Sequence, residues 1–400
     1  MWSAVVAAVA VALRLWVHFS SGRSVPSPPA PLQDYLGSAD YIWSAPPLPG
    51  LILSVAHLWP EPANLLIAIE LVAVITVVGL LVRLGERWLD YRVGLLAATG
   101  WAFCGPALAV FRVPGSEGWQ AALSILCAAA MLRVARRRAP GEAWRIGMAA
   151  GLLTLFSGGG LLWAVAGSAW LPVTSRKFRG RQWLLLTGLI LAGWMAVVAP
   201  VAVRNAILTG GDPVFPLADG AARFYVAMTE PGLASGSDAE ARSIGDAALA
   251  RAGVTPDASE WTRSWTLVGL AMESGGEGWS GAWRRFAALI GGWSPEEELS
   301  ETGLQWWWVV VAAWVGVVAL LPGTRFLFPL LLGGLIPLLR GMFSGVDPGT
   351  AVSATPFICL YAGYGVWRVV TGRRSSVTWI ATSAVLSVAL LVHWSVRGWS

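Results

Sequence analysis

Apolar runs recur along this 400-residue chain, most of them about 17–22 residues long and separated by short basic clusters. An α-helix needs about 20 apolar residues to cross a ~30 Å hydrocarbon core, so each run predicts a crossing. The spans fall at about 2–18, 63–83, 92–112, 118–134, 145–157, 160–172, 183–203, 303–321, 324–341, 352–370 and 377–395. The predicted fold class is therefore an all-α integral membrane protein with about eleven transmembrane helices. Three regions follow: an N-terminal membrane region over 1–203, a polar loop over 204–302 and a C-terminal membrane region over 303–400. The fifth and sixth runs are short and joined by Ser157-Gly158-Gly159-Gly160, which predicts a hairpin of half-length helices. Non-helical backbone at that depth has to be buried in protein or line a wet cavity.

The arginines set the orientation. Clusters at Arg83/Arg87/Arg92, Arg133/Arg136/Arg137/Arg138/Arg145, Arg176/Lys177/Arg179/Arg181 and Arg368/Arg373/Arg374 mark the cytoplasmic side by the positive-inside rule. This places the N-terminus inside, the C-terminus outside, and two polar segments outside: residues 19–62 and the loop 204–302. That loop carries 14 of the 23 acidic residues. It opens on the turn-rich Thr209-Gly210-Gly211-Asp212-Pro213, runs on as a Gly/Ser/Asp linker, and shows helical patterns around 238–252, 260–275 and 280–291. The 13 apolar residues from Pro47 to Trp59 are too few to cross and would break the alternation. They predict a helix lying on the outer membrane face. Ser3 to Val17 has no positive residues before it and no clear cleavage site after it, which predicts an uncleaved first span.

Composition agrees. Charged residues are 13% and apolar residues 56% of the chain, against about 25% charged for a soluble domain. The 25 tryptophans suit the headgroup zone. A net charge of +5 does not indicate nucleic acid, because the basic residues sit in clusters between spans. Cys104, Cys127 and Cys359 all fall inside apolar runs without metal-ligand spacing and read as small buried hydrophobes.

Candidate chemistry is confined to a few side chains. No nucleotide-binding glycine loop is present, Lys177 is the only lysine, and His18, His57 and His393 form no metal motif. Asp34, just beyond the first span, could take a proton from a hydroxyl and make it a nucleophile, or be a solvated loop acid. Asp40 is a similar case. Glu117 opens the fourth span, where favourable alignment with the helix dipole is also a sufficient explanation. Glu70 lies mid-span, where an ionisable residue is costly; it is either functional or paired with an arginine or a tryptophan N–H. Arg204 and Asn205 emerge from the seventh span, where the arginine can grip a phosphate or snorkel to the interface.

Taken in order, several short stretches resemble the C-type (GT-C) membrane glycosyltransferases. The nearest pattern is that of bacterial dolichyl-phosphate-mannose-protein mannosyltransferases (glycosyltransferase family 39) and their aminoarabinose-transferase relatives. The matching stretches are Asp34-Tyr35-Leu36-Gly37-Ser38-Ala39, Ala45-Pro46-Pro47-Leu48-Pro49-Gly50-Leu51, Arg92-Val93-Gly94-Leu95-Leu96-Ala97-Ala98, Ser116-Glu117 and Pro200 through Phe215-Pro216-Leu217. Weaker similarity covers Trp283-Arg284-Arg285-Phe286 and Thr355-Pro356-Phe357 to Tyr361-Ala362-Gly363-Tyr364-Gly365.

The resemblance implies a transferase in the plasma membrane, the inner membrane of a bacterium, passing a sugar from a polyprenyl-phosphate carrier to a protein, lipid or glycan acceptor at the outer face. It makes Asp34 the acceptor base, Glu117 the second-loop acid and Arg204 the group that holds the lipid phosphate; Asp40, Asn205 and Arg340 are further substrate-binding candidates. The implied partners are the lipid-linked donor and membrane lipids, with no nucleic acid. No cofactor is required by any motif, although a divalent cation is compatible with the acids. The chain also departs from the pattern. Ser157-Gly158-Gly159-Gly160 replaces Arg-Pro-x-Gly, Asp34 is followed by Tyr35 rather than a second acid, and Ala354-Thr355-Pro356 lacks the usual arginine. Arg340 is the candidate to supply a missing cation in space.

Two other readings follow from these departures. A GT-C-like protein without catalysis would serve as a scaffold or accessory subunit, with the tryptophan-rich spans (Trp306-Trp307-Trp308) against a membrane-protein partner. A transporter of a lipid-linked substrate would use Glu70 and the glycine-interrupted pair 145–172.

Overall fold

The computed structural model describes residues 2–21, 36–37, 47–104, 107–108, 117–137, 140–157, 159–174, 180–208, 210, 219–229, 238–255, 258–273, 278–283, 309, 312–313, 315–317, 324–344 and 348–371. Asp34, Asp40, most of the predicted span 303–321 and all of 377–395 lie outside the described residues.

The described residues are helical, with no strand among them. In order they form α1 (Trp2–Ser21), α2 (Pro47–Ala56), α3 (Pro62–Trp88), α4 (Tyr91–Phe103), α5 (Glu117–Arg137), α6 (Pro140–Ser157) and α7 (Gly160–Thr174). After these come α8 (Arg181–Leu208), α9 (Asp219–Thr229), α10 (Asp238–Arg251), α11 (Glu260–Glu273), α12 (Thr324–Ser344) and α13 (Pro348–Val370). Four of them, α1, α3, α5 and α8, are long and apolar enough to cross a membrane by length and composition. The breaks fall where local chemistry puts them. Pro62 occupies the first turn of α3, where its missing N–H costs nothing. Asp90 caps α4 by accepting from the Arg92 N–H at 2.8 Å. Several predicted boundaries shift: α3 ends at Trp88 rather than 83, α4 at Phe103 rather than 112, and α13 starts at Pro348 rather than 352. The fifth apolar segment starts at Pro140 rather than 145, giving an 18-residue helix, and α8 runs on to Leu208 rather than 203.

One continuous apolar core joins α1, α3 to α8, α12 and α13. The tightest seam is between α6 and α8. Gly147 and Gly151 are spaced as small-xxx-small, and a Cβ on Gly147 would strike the Ile190 carbonyl, while one on Gly151 would lie 2.7 Å from Val197 Cβ. Such spacing lets helix backbones approach closely where apolar burial gives no advantage over lipid. The register rises together on both helices, 147 beside 190 and 151 beside 197, so α6 and α8 run parallel. Trp194 Nε1 donates to Thr154 Oγ1 at 2.9 Å across this seam, and α7 returns between them, with Trp183 Nε1 donating to the Ser168 carbonyl at 2.8 Å. On the other side, α12 and α13 form an antiparallel pair in which Gly333 leaves room for the Phe357 ring and the Tyr361 hydroxyl donates to the Leu330 carbonyl.

The helix directions give the bundle two unlike ends. One collects Arg83, Arg87, Arg92, Arg133, Arg136, Arg145, Arg181 and Arg368, the end that the positive-inside rule assigns to the cytoplasm. Rings cover several of these charges: Arg92 lies over Trp367 (4.9 Å), Arg136 over Trp88 (5.8 Å) and Arg368 over Tyr364 (5.8 Å). Glu142, nearly buried, joins Arg145 at 2.9 Å and Arg133 at 3.4 Å. The opposite end receives the first residues of α3, α5 and α13 and the last residues of α6, α8 and α12.

The polar loop is attached at this opposite end. Helices α9, α10 and α11 make a small unit around Ala222, Ala248, Leu249 and Leu267, with an Arg263–Asp246 ion pair at 2.5 Å, and α9 packs on α12. The predicted helices 238–252 and 260–275 match α10 and α11, and of 280–291 only 280–283 is described and helical. α9 was not expected, because the stretch reads as turns and linker. Helix α2 covers 47–56 of the predicted surface helix 47–59 and packs on α3 and α6, with Gly50, Ser54 and Ala56 buried and Leu48 and Ile52 against the core. Beyond it Leu58 and Trp59 are exposed.

Candidate functional site

Buried polar side chains are unevenly distributed along the bundle. Gln120 and Ser124 on α5, Thr154 and Ser157 on α6, Asn205 on α8, and Ser353 and Thr355 on α13 are all buried. Each lies within seven residues of the helix end opposite the arginine clusters, and these helices pack on one another. Seven helical residues rise about 10 Å, so the polar interior occupies roughly one third of a ~30 Å slab, at that end. At the arginine end the buried polar side chains among the described residues are Glu142, which is ion-paired, and Ser168, which back-bonds to the Ala164 carbonyl at 2.9 Å. A one-ended polar interior is what a bundle needs to receive a charged headgroup while keeping its other half apolar.

Four of the six candidate residues can be located at this end. Arg204 Nε donates to the Leu36 carbonyl at 3.1 Å, and its Nη1 donates to Asn205 Oδ1 at 3.0 Å. Asn205 is buried, so the arginine is held by a fixed neighbour on its own helix and by the backbone of the first polar loop. Leu36 follows Asp34 by two residues. The first loop therefore comes to the end of α8 within a few residues of the acid that the sequence singles out.

Arg340 reaches the break between α6 and α7. A Cβ built on Gly159 would meet Arg340 Cδ at 3.3 Å, its Nη1 at 3.6 Å and Ser157 Oγ at 3.7 Å. The glycine run thus leaves space that an arginine from α12 occupies, at the point where the resembled pattern carries its own arginine. Glu117 is half-buried at the first residue of α5, a helix that packs on both α6 and α12. Asp34 and Asp40 are outside the described residues, so their distances to Arg204 and Arg340 are not part of this geometry.

The sequence reading missed Arg14. It took Ser3–Val17 as a plain apolar run, yet Arg14 is 1% exposed, its Nη1 donating to the Ala102 carbonyl at 3.0 Å and its Nη2 to the Trp101 carbonyl at 3.3 Å. Its guanidinium stands 4.3 Å from the Trp101 ring centroid, and it interacts electrostatically with Glu70. The signal was present as a lone cation inside an apolar run.

The three cysteines are free and buried, as expected. Among the described residues no group of three or more His, Cys, Asp or Glu comes together in a way that could hold a metal ion.

No family model matches this chain, and no curated protein matches it. Solved structures do. The oligosaccharyltransferase AglB from Archaeoglobus fulgidus, in complex with an inhibitory peptide and a dolichol-phosphate, aligns with 98% of this chain at 14% identity and a TM-score of 0.51. The same enzyme with zinc and sulfate aligns over 98% at 14% identity with a TM-score of 0.52. This chain spans about half the length of that enzyme, 55% and 51% in the two alignments. ArnT from Cupriavidus metallidurans bound to undecaprenyl phosphate aligns over 92% of this chain and 77% of its own at 16% identity, but with a TM-score of 0.32 that carries no weight. The likeness to AglB fits the resemblance drawn from the sequence. By its likeness to AglB, this chain has the helical fold of about half of that enzyme.

Proposed function

We propose that this protein transfers a sugar from a polyprenyl-phosphate carrier to an acceptor hydroxyl, at the bundle end where Arg204, Glu117 and Arg340 gather. The observation that carries the reading is the hydrogen bond from Arg204 to the Leu36 carbonyl, which ties the loop of Asp34 to a cation at the end of α8. In this reading Asp34 takes the proton of the acceptor hydroxyl. The acceptor oxygen bonds to the sugar's anomeric carbon as that carbon's bond to phosphate oxygen breaks, and polyprenyl phosphate leaves. Negative charge grows on the departing phosphate, and a positioned guanidinium stabilises it more in the transition state than in the ground state. Arg204 fills that role, and Arg340, lying over Gly159, supplies the cation that Ser157-Gly158-Gly159-Gly160 lacks. Glu117 and Asp40 orient the sugar and acceptor. The site faces the extracytoplasmic side, since the arginine clusters lie at the other end.

The fold shared with an enzyme whose solved complex holds a dolichol-phosphate supports a lipid-linked donor. The test is transfer of label from a panel of radiolabelled polyprenyl-phosphate sugars in native membranes, comparing the wild type with Asp34→Asn and Arg204→Ala. Transfer by the wild type that is lost in both variants is expected. Equal transfer by wild type and Asp34→Asn would remove the base, and no transfer from any donor by the folded protein would overturn the reading.

A further inference from the structure

The small unit formed by α9, α10 and α11 has two unlike sides. Its interior is apolar: Leu267 on α11 closes against Ala222, Ala248 and Leu249, and Ala271 packs with Met228 of α9 and Ala282 of the helical stretch 278–283. Charge collects on α10, where Glu240, Asp246 and Arg251 are exposed. The other side is aromatic. Trp265 and Met272 on α11, and Trp283, are each more than half exposed, and Trp279 is exposed as well. On α11 the exposed positions Thr262, Trp265, Gly269 and Met272 fall within roughly 80° of arc at about 3.6 residues per turn, on the side away from Leu267 and Ala271. Trp279 and Trp283 are four residues apart and so share one face of the adjacent stretch. None of these six residues is charged; Glu273, the last residue of α11, borders the stripe. Large apolar side chains exposed singly are ordinary, but four on two neighbouring helices of so small a unit mark a contact surface.

The unit joins the bundle through α9, which packs on α12, and the chain enters it from α8 at the end opposite the arginine clusters. Trp59, just before α3 begins at that same end, is exposed too. Trp suits the boundary between headgroups and acyl chains, where its ring is buried and its N–H stays wet. A helix with one uncharged aromatic face and its charges elsewhere settles on that boundary. A protein partner would be oriented by polar and charged residues around the patch; here the charges are on α10, and Arg263 of α11 is taken up by Asp246. We infer that α11 and the stretch 278–283 lie on the bilayer surface, with Trp265, Met272, Trp279 and Trp283 among the lipid headgroups of the leaflet at that end. The charges of α10 then face water, and the unit is held at two places, by α9 on α12 and by the lipid. The inference is independent of sugar transfer.

The test uses the full chain in phosphatidylcholine nanodiscs; its three native cysteines are buried, so a thiol-reactive fluorophore goes to an introduced one. Gly269→Cys carries the label on the aromatic stripe, where an added Cβ meets nothing within 4 Å, and Ala250→Cys carries it on the exposed side of α10. Lipids bearing a nitroxide at the headgroup or high on the acyl chain quench a label at that depth. Quenching several-fold stronger at 269 than at 250, with blue-shifted emission at 269, is expected. Trp265→Ser/Trp283→Ser should bring quenching at 269 down to the level at 250. Unchanged quenching in that double variant would overturn the role given to the tryptophans; should the variant fail to fold, the comparison of 269 with 250 in the parent protein decides. Equally weak nitroxide quenching at both positions, with iodide in the water reaching both alike, would overturn the inference. Dimers cross-linked through 269 in liposomes, without nitroxide quenching there, would overturn it in favour of a second copy of the chain.

Discussion

Gly188 and Gly193 lie on the same helix, yet alanine at the two positions should act in opposite directions. Gly188 faces open space, with nothing within 4 Å of an added Cβ. Alanine there removes backbone freedom from the unfolded chain and should stabilise by about 0.5–1 kcal/mol. At Gly193 the same Cβ would stand 2.5 Å from the Trp144 carbonyl oxygen, 3.2 Å from Met148 N and 3.3 Å from Gly147 Cα. These are backbone atoms of α6 and cannot rotate aside. A carbon–oxygen contact needs about 3.3 Å, so α6 and α8 must part by roughly 0.8 Å at the crossing. A gap of that size forfeits about a third of each dispersion well. Over on the order of 50 atom pairs at ~0.15 kcal/mol each, the loss is about 2–3 kcal/mol. The helix preference of alanine offsets part of it, leaving about 1.5–2 kcal/mol of destabilisation, or roughly ten- to thirtyfold in the unfolding equilibrium. Reversible unfolding in mixed detergent micelles, followed by steric trapping of the unfolded form, measures both variants on one scale. Gly193→Ala matching Gly188→Ala to within about 0.5 kcal/mol would show that the seam between α6 and α8 is not close-packed, and the argument would fail.

Four further outcomes follow from contacts at named positions. Glu142→Gln removes the partner of Arg145, 63% exposed, and Arg133, 27% exposed; solvent screens both, so the expected loss is about 1–2 kcal/mol in the same assay. Thr154→Val leaves the buried Trp194 Nε1 without its acceptor at 2.9 Å and should cost about 0.6–1.7 kcal/mol, while Thr154→Ser should stay near wild type. Arg340→Ala should lower transfer about ten- to a hundredfold, the worth of one charge-assisted hydrogen bond to phosphate. Gly159→Ala should lower transfer too with little change in stability, because its Cβ presses the flexible Arg340 stem at 3.3 Å.

Hydropathy made the four long apolar helices legible, because a span announces itself by length alone. The glycine run from Ser157 to Gly160 marked where α6 ends and α7 begins. What could not be read were relations between helices. The contact of Arg14 with Trp101 depends on α1 and α4 being neighbours, and the placing of Arg340 over Gly159 depends on α12 meeting the turn between α6 and α7. Neither adjacency has a local signature. Gln120, Ser124, Ser353 and Thr355 escaped notice for another reason: an isolated small polar residue in an apolar run is unremarkable until several are seen to gather at one end. α9 was hidden by flanking Gly and Pro, although its apolar face closes against α10 and α11.

The stacked arginines at the basic end act together as a waterline. Arg92, Arg136 and Arg368 each lie over the ring of a residue on a different or neighbouring turn, so their charges cannot follow lipid headgroups up or down independently. An unstacked, snorkelling side chain would adapt to a thicker or thinner membrane by bending. Here the draught of the whole bundle is set in advance, and a bilayer of the wrong thickness must itself stretch or pinch around the protein.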